Sequence, residues 1–94
     1  MQGDFSISRT QVDGVPTVSV EGDLDLSNSS ELRQHLQDAA AEGQGSVAVD
    51  LSGVRFFDSS AARVLLREWH EGLLQSRPLR ITGASVPVLS LIHI

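Results

Sequence analysis

Cysteine is absent from this 94-residue chain, and so is lysine. Without cysteine neither a disulfide framework nor a thiolate metal site can form, which fits a reducing compartment. All seven basic residues are arginine, so Schiff-base chemistry, a Walker-type phosphate lysine and the lysine of a phosphorelay receiver are excluded. No apolar run approaches the length of a membrane span, and the N-terminal "MQGDFSISRT" lacks the basic-then-apolar pattern of a secretion signal. A cytoplasmic protein without membrane association is the expectation. Positive charge is also scarce. Twelve acids against seven arginines, a net charge of −5, leave no electrostatic footprint for neutralising phosphates, so direct nucleic-acid binding is not expected.

What remains is the composition of one small globular domain, 40% hydrophobic and 20% charged, near the lower end of the length that sustains a core. "FSISRT" (Phe5–Thr10) and "TVSVEG" (Thr17–Gly22) alternate like half-buried strands. Asp13-Gly14 between them signals a hairpin turn. A loop then leads to a helix with Leu32, Leu36, Ala39 and Ala40 as its apolar stripe. Asn28 and Glu31 at its start resemble a capping box, and Gly43 is the natural stop. "SVAVDL" (Ser46–Leu51) reads as a covered strand and "SGVRFF" as a loop. Val64, Leu65, Trp69, Leu73 and Leu74 mark a second helix, which Pro78 closes. "LRITG" (Leu79–Gly83) is the last strand. The order β-β-α-β-α-β implies an α/β fold with parallel strands joined by right-handed crossovers, and one antiparallel strand from the hairpin.

The end of the chain is a separate matter. "LSLIHI" (Leu89–Ile94) matches a translation of the transposase adaptor end used in sequencing libraries. Residues 89–94 are therefore read as a non-native tail, with a single domain over residues 1–88. A genuine apolar tail is the alternative.

Phe56 to Leu66, "FFDSSAARVLL", interrupts the most hydrophobic part of the chain with three small polar residues. One account is structural: Asp58, Ser59 or Ser60 accepts hydrogen bonds from the unpaired N–H groups of a helix start. The other is functional. Those N–H groups and the positive end of the helix dipole tolerate an anion, so a serine there can carry a phosphoryl group of about −1.5 to −2 charge. Asp23 and Asp25 follow an earlier strand, and parallel strands would bring both loops to the carboxyl edge of the sheet. A solvated loop is the plainer reading for Asp23.

In this order and spacing, "VDGVPTVSVEGDLDLSNSSELRQHL", "VAVDLSGVRFFDSSAARVLL" and "LRITGAS" resemble the STAS domain, specifically the bacterial anti-sigma factor antagonists, from Phe5 to Ser85. The resemblance implies a mixed sheet covered by helices. It also implies that the unphosphorylated form binds an anti-sigma factor that is itself a serine kinase, releasing a sigma factor that drives transcription, as in stress responses. The kinase would use ATP to phosphorylate Ser59, and a serine phosphatase would reverse the change. By the same resemblance Asp25, Asp58, Ser59 and Ser60 contribute to partner binding, and Arg63, on the helix after the site, is expected to join them. Two departures stand out. Ala61-Ala62 replaces the family's Gly-Leu, and the amphipathic helix that the family carries after the "GAS" segment is missing, as in a truncated reading frame.

Rival chemistries fit less well. A triad of Ser59, His35 or His70 and an aspartate lacks a Gly-x-Ser-x-Gly elbow, and His70 lies too far along the helix. Neither a catalytic residue, a cofactor nor a metal site is expected. The clustered acids imitate a magnesium-binding receiver, but the lysine that would meet its phosphoryl group is absent. Within the STAS resemblance, a subunit of a lipid-transport ATPase complex or a stressosome scaffold is the alternative, docking without a kinase-driven switch. Arg63 and Arg67, spaced i, i+4, form either a partner contact or a solvated helix face.

Overall fold

Two residues reverse the chain after its first strand. Asp13 (φ 53°) and Gly14 (φ 80°) both adopt positive φ, the conformation of the tightest hairpin turns. They join β1 (Phe5–Val12) to β2 (Val15–Leu24) in antiparallel register, with Val12 opposite Val15 and Phe5 opposite Gly22. The computed structural model describes residues 4–42 and 45–91. Gly43, expected to stop the first helix, lies outside them. The remaining elements are α1 (Ser29–Glu42), β3 (Val47–Phe57), α2 (Ser59–Leu74), β4 (Leu79–Ala84) and α3 (Val86–Leu91).

The sheet order is β1-β2-β3-β4, with β2, β3 and β4 parallel. The mixed α/β sheet expected from the element order is the one observed. Because both crossovers step the same way along the sheet, right-handed connections place α1 and α2 on one face, where they pack on each other. Val18, Val20 and Leu24 of β2, Leu32 and Leu36 of α1, and Leu65 of α2 are buried there. Each such side chain is worth about 1.5–3 kcal/mol of transfer from water. The opposite face carries Thr17, Ser19, Asp50, Arg80 and Thr82 around an open depression.

One sequence expectation changes. The segment Ser52–Phe57 is strand, not loop. Between the pairs Ser19–Asp50 and Glu21–Gly53, and again between Gly22–Val54 and Asp23–Phe56, β3 spends one residue more than β2. Each bulge turns the following side chains over. Burial therefore recurs at Leu51, Val54 and Phe57, a spacing of three that hides the alternation of a strand. After "GAS", where the family's longer amphipathic helix is expected to be missing, the chain forms six helical residues. The short helix α3 starts at Val86 and drives Val88 into the core. Leu89–Leu91, expected as part of a tail, continue that helix, and residues 92–94 lie outside the described residues.

Gly22 fixes where β2 leaves its partner. Its φ is 94°, and a Cβ there would collide with the carbonyl of Asp4, which accepts the Asp23 N–H at 2.8 Å. Gly14 also has positive φ but open space around it. Gly14→Ala should therefore cost only the backbone penalty, about 1–2 kcal/mol, and Gly22→Ala clearly more. Urea unfolding of the two variants checks this; equal costs would contradict it.

Candidate functional site at the carboxyl edge of the sheet

Strands β2 and β3 end in register, Leu24 beside Phe57, so the segments that follow them emerge side by side. Asp58 is the meeting point. Its own N–H donates to the Leu24 carbonyl at 3.4 Å, and its extended backbone (φ −107°, ψ 178°) makes it the N-cap of α2. One carboxylate oxygen, Oδ1, accepts the N–H groups of Ser60 (3.0 Å) and Ala61 (3.1 Å) and the Ser60 hydroxyl (2.6 Å). The other, Oδ2, accepts the Leu26 N–H at 3.3 Å. Desolvation pushes the Asp58 carboxyl up. The hydrogen bonds from the Ser60 hydroxyl and from the backbone of Ala61, Leu26 and Ser60 outweigh it and hold the group below its ordinary value.

The two serines after Asp58 are not equivalent. Ser60 is half-buried, and its hydroxyl is committed to Asp58. Ser59, the first residue of α2, is exposed, and among the described residues its hydroxyl has no hydrogen bond within the chain. Ala61 and Ala62 are both buried beneath this turn, so their methyl groups fill the core where the resemblance had glycine and leucine.

The neighbouring loop is braced from inside. Asp25 Oδ1 accepts the N–H (2.9 Å) and hydroxyl (2.6 Å) of Ser27. Asn28 was expected to form a capping box with Glu31, and it does not. Its backbone carbonyl accepts the N–H groups of Glu31 and Leu32, while its buried side chain turns back toward the loop. There Oδ1 accepts the Asp25 N–H (2.9 Å) and Nδ2 donates to the Asp23 carbonyl (2.8 Å). Closing a loop with two buried amide bonds satisfies groups that would otherwise lack partners. Asp23 stands 3.7 Å from Arg55, which also approaches Asp4 at 3.8 Å.

Asp25, Asp58, Ser59 and Ser60 thus share one rim, with Arg63 exposed one turn further along α2. Sequence reasoning passed over two apolar residues of the same rim. Leu26 is 76% exposed and Phe56 is 52% exposed. The only available signal was a leucine set between acids and one phenylalanine of a pair, and the bulges of β3 hid which phenylalanine faces out. Among the described residues no group of three or more His, Asp or Glu side chains is arranged to hold a metal ion. None of the described helices is long and apolar enough to cross a membrane.

A family model described as "Mlab, STAS domain" matches residues 7–94. The chain is a STAS domain. Solved structures agree with the fold. An anti-sigma factor antagonist from Mycobacterium paratuberculosis is 25% identical with a TM-score of 0.73, covering 85% of this STAS domain and 68% of that chain. The anti-sigma factor antagonist SpoIIAA in its unphosphorylated form is 17% identical with a TM-score of 0.72, covering 90% and 76%. An antisigma-factor antagonist STAS domain from Rhodobacter sphaeroides is 21% identical with a TM-score of 0.66, covering 89% and 95%. No curated protein sequence matches this STAS domain.

Asp58 should be a stability determinant in its own right. Asp58→Ala removes the cap and is expected to cost about 0.5–2 kcal/mol in urea unfolding. The carboxyls of Asp58 and Asp50 are both lowered, the latter by the backbone and hydroxyl of Ser52. A lowered folded-state pKa adds stability above the unfolded-state value, and that increment is lost as pH falls through the folded-state value. Stability should therefore drop on acidification below the ordinary carboxylate range, less steeply in Asp58→Asn. Identical acid limbs for the two proteins would contradict the assignment.

Proposed function

We propose that this STAS domain is an anti-sigma factor antagonist switched by phosphorylation of Ser59. In the unphosphorylated form it binds an anti-sigma factor serine kinase in the cytoplasm and frees the sigma factor. The observation that carries this reading is the contrast at the helix start. Ser59 offers an exposed, uncommitted hydroxyl, whereas Ser60 and Asp58 are bound to each other. The likeness in fold to anti-sigma factor antagonists supports the same role.

In this reading the domain is a substrate and a ligand, and the chemistry belongs to the partner. The Ser59 oxygen attacks the γ-phosphorus of the kinase's ATP, the bond to the β-phosphate oxygen breaks, and ADP leaves. The hydroxyl proton passes to a base on the kinase. A serine phosphatase reverses the change by hydrolysis. Asp58 positions the acceptor by fixing the first turn of α2, and its satisfied carboxylate keeps Ser60 from competing. The new dianion at the helix start is partly offset by the helix dipole. A partner seated on the rim would meet added like charge beside Asp58 and Asp25, and a desolvation cost. A coupling of about 1–3 kcal/mol, on the order of 10²-fold at its upper end, is typical of such switches.

A second reading, a STAS subunit of a lipid-transport ATPase complex or stressosome-type scaffold, is favoured by one observation. The matching family model is described as "Mlab, STAS domain" and not as an antagonist. Incubation with an anti-sigma factor kinase and ATP separates the two. A mass increase of one phosphate that disappears in Ser59→Ala supports the switch; stable binding to a transporter ATPase without phosphorylation supports the scaffold. Ser59→Ala should bind the anti-sigma factor constitutively, and Ser59→Asp should bind roughly 10²-fold more weakly. Unchanged affinity of Ser59→Asp in a titration would rule out electrostatic exclusion.

A further inference from the structure

The rim is acidic, yet the helix that grows from it presents a different surface. At about 100° per residue, Ser59, Arg63, Leu66, Arg67, His70 and Leu73 of α2 fall within one outward arc, and all are exposed. Leu66 and Leu73 are 47% and 50% exposed, and the flanking Leu74 is 69% exposed. No acid lies in this arc, although the chain carries twelve. The two glutamates of α2 lie outside it, and one of them, Glu68, approaches Arg33 at 3.9 Å. Arg9, Arg33 and Arg55 each have a carboxylate partner. Among the described residues Arg63 and Arg67 have none.

We propose that the outward face of α2 is a docking site for an acidic amphipathic helix of a partner protein. Leu66 and Leu73 stand seven residues apart, the repeat that keeps a seam of contact along a facing helix. Arg63 and Arg67 flank that seam, where they would meet carboxylates of the incoming helix. Unpaired guanidinium groups beside exposed leucines match a partner that brings both acids and apolar side chains. An anionic lipid surface has the same two chemistries but fits less well. A membrane is a broad charged plane, so laid along α2 it would also meet Asp25 and Asp58 at the Ser59 end, whereas a single helix can seat beside Leu66 and Leu73 away from them. The inference rests on the reading of this edge of the domain as partner-binding. Under that reading, phosphorylation of Ser59 would place negative charge one turn from Arg63 and compete with the partner for it.

The test is a charge swap on the intact chain. A fluorescently labelled synthetic helix with a leucine stripe flanked by glutamates is titrated with the protein and followed by anisotropy, alongside the same helix flanked by lysines. Wild type should bind the glutamate helix at least about tenfold more tightly. Arg63→Glu combined with Arg67→Glu should reverse the preference, and Leu66→Ser combined with Leu73→Ser should weaken binding. Circular dichroism melts confirm that these surface variants stay folded. Equal binding of both helices by wild type, or an unreversed preference in the arginine variant, would overturn the proposal. So would Arg63- and Arg67-dependent cosedimentation with phosphatidylglycerol vesicles in the absence of peptide binding. The probes contain neither kinase nor nucleotide. Failure of Ser59 phosphorylation with an intact charge swap would therefore remove the switch and leave the surface, and the converse result would do the opposite.

Discussion

The carboxylate of Asp58 holds the carboxyl edge of this domain's sheet together. It accepts four hydrogen bonds, three within the first turn of α2 and one from Leu26 in the loop after β2. Charge-assisted bonds of this kind are among the stronger ones available to a side chain. One group therefore sets the start of a helix, the position of a neighbouring loop and the difference between two adjacent serines. Asn28 does the complementary work from inside, tying the loop's backbone at Asp23 and Asp25. The polar groups of the rim have partners, and Ser59 stands out because among the described residues its hydroxyl has none.

Much of the frame was legible in the sequence for simple reasons. Asp13-Gly14 needs positive φ at both positions, and few other two-residue steps do, so the hairpin could be placed. Leu32, Leu36 and Ala39 on α1 lie on one helical face and are buried together. β3 was cut short because alternation is the signal for a strand and two bulges erase it. Leu51, Val54 and Phe57 look aperiodic until the pairing with β2 is known. Asn28 misled for a different reason. Asparagine caps helices well, but its side chain can equally close a loop, and only the neighbouring carbonyl of Asp23 decides between them.

At the site itself, the sequence placed Asp58, Ser59 and Ser60 at a helix start but could not divide the labour among them. Cap, committed hydroxyl and free hydroxyl are assigned by hydrogen-bond geometry. Leu26 and Phe56 were not visible as surface residues, since a hydrophobic side chain next to a strand end is ordinarily expected inside. Their exposure gives the acidic rim an apolar element. The face of α2 beyond Ser59 adds leucines and unpaired arginines. Charge is thus segregated on a small acidic domain, with acids at the sheet edge and cations along the helix that leaves it.

The central claim is that Asp58 couples the β2 loop to the start of α2 and thereby sets Ser59 apart. Amide hydrogen exchange of Asp58→Ala against wild type tests it most directly. The account predicts faster exchange at Leu26 as well as at Ser60 and Ala61, beyond the loss of protection that the lower global stability gives the buried amides of Val18 and Val49. Protection at Leu26 that falls no more than at Val18 and Val49 would show that the loop holds its place without Asp58, and would contradict the account.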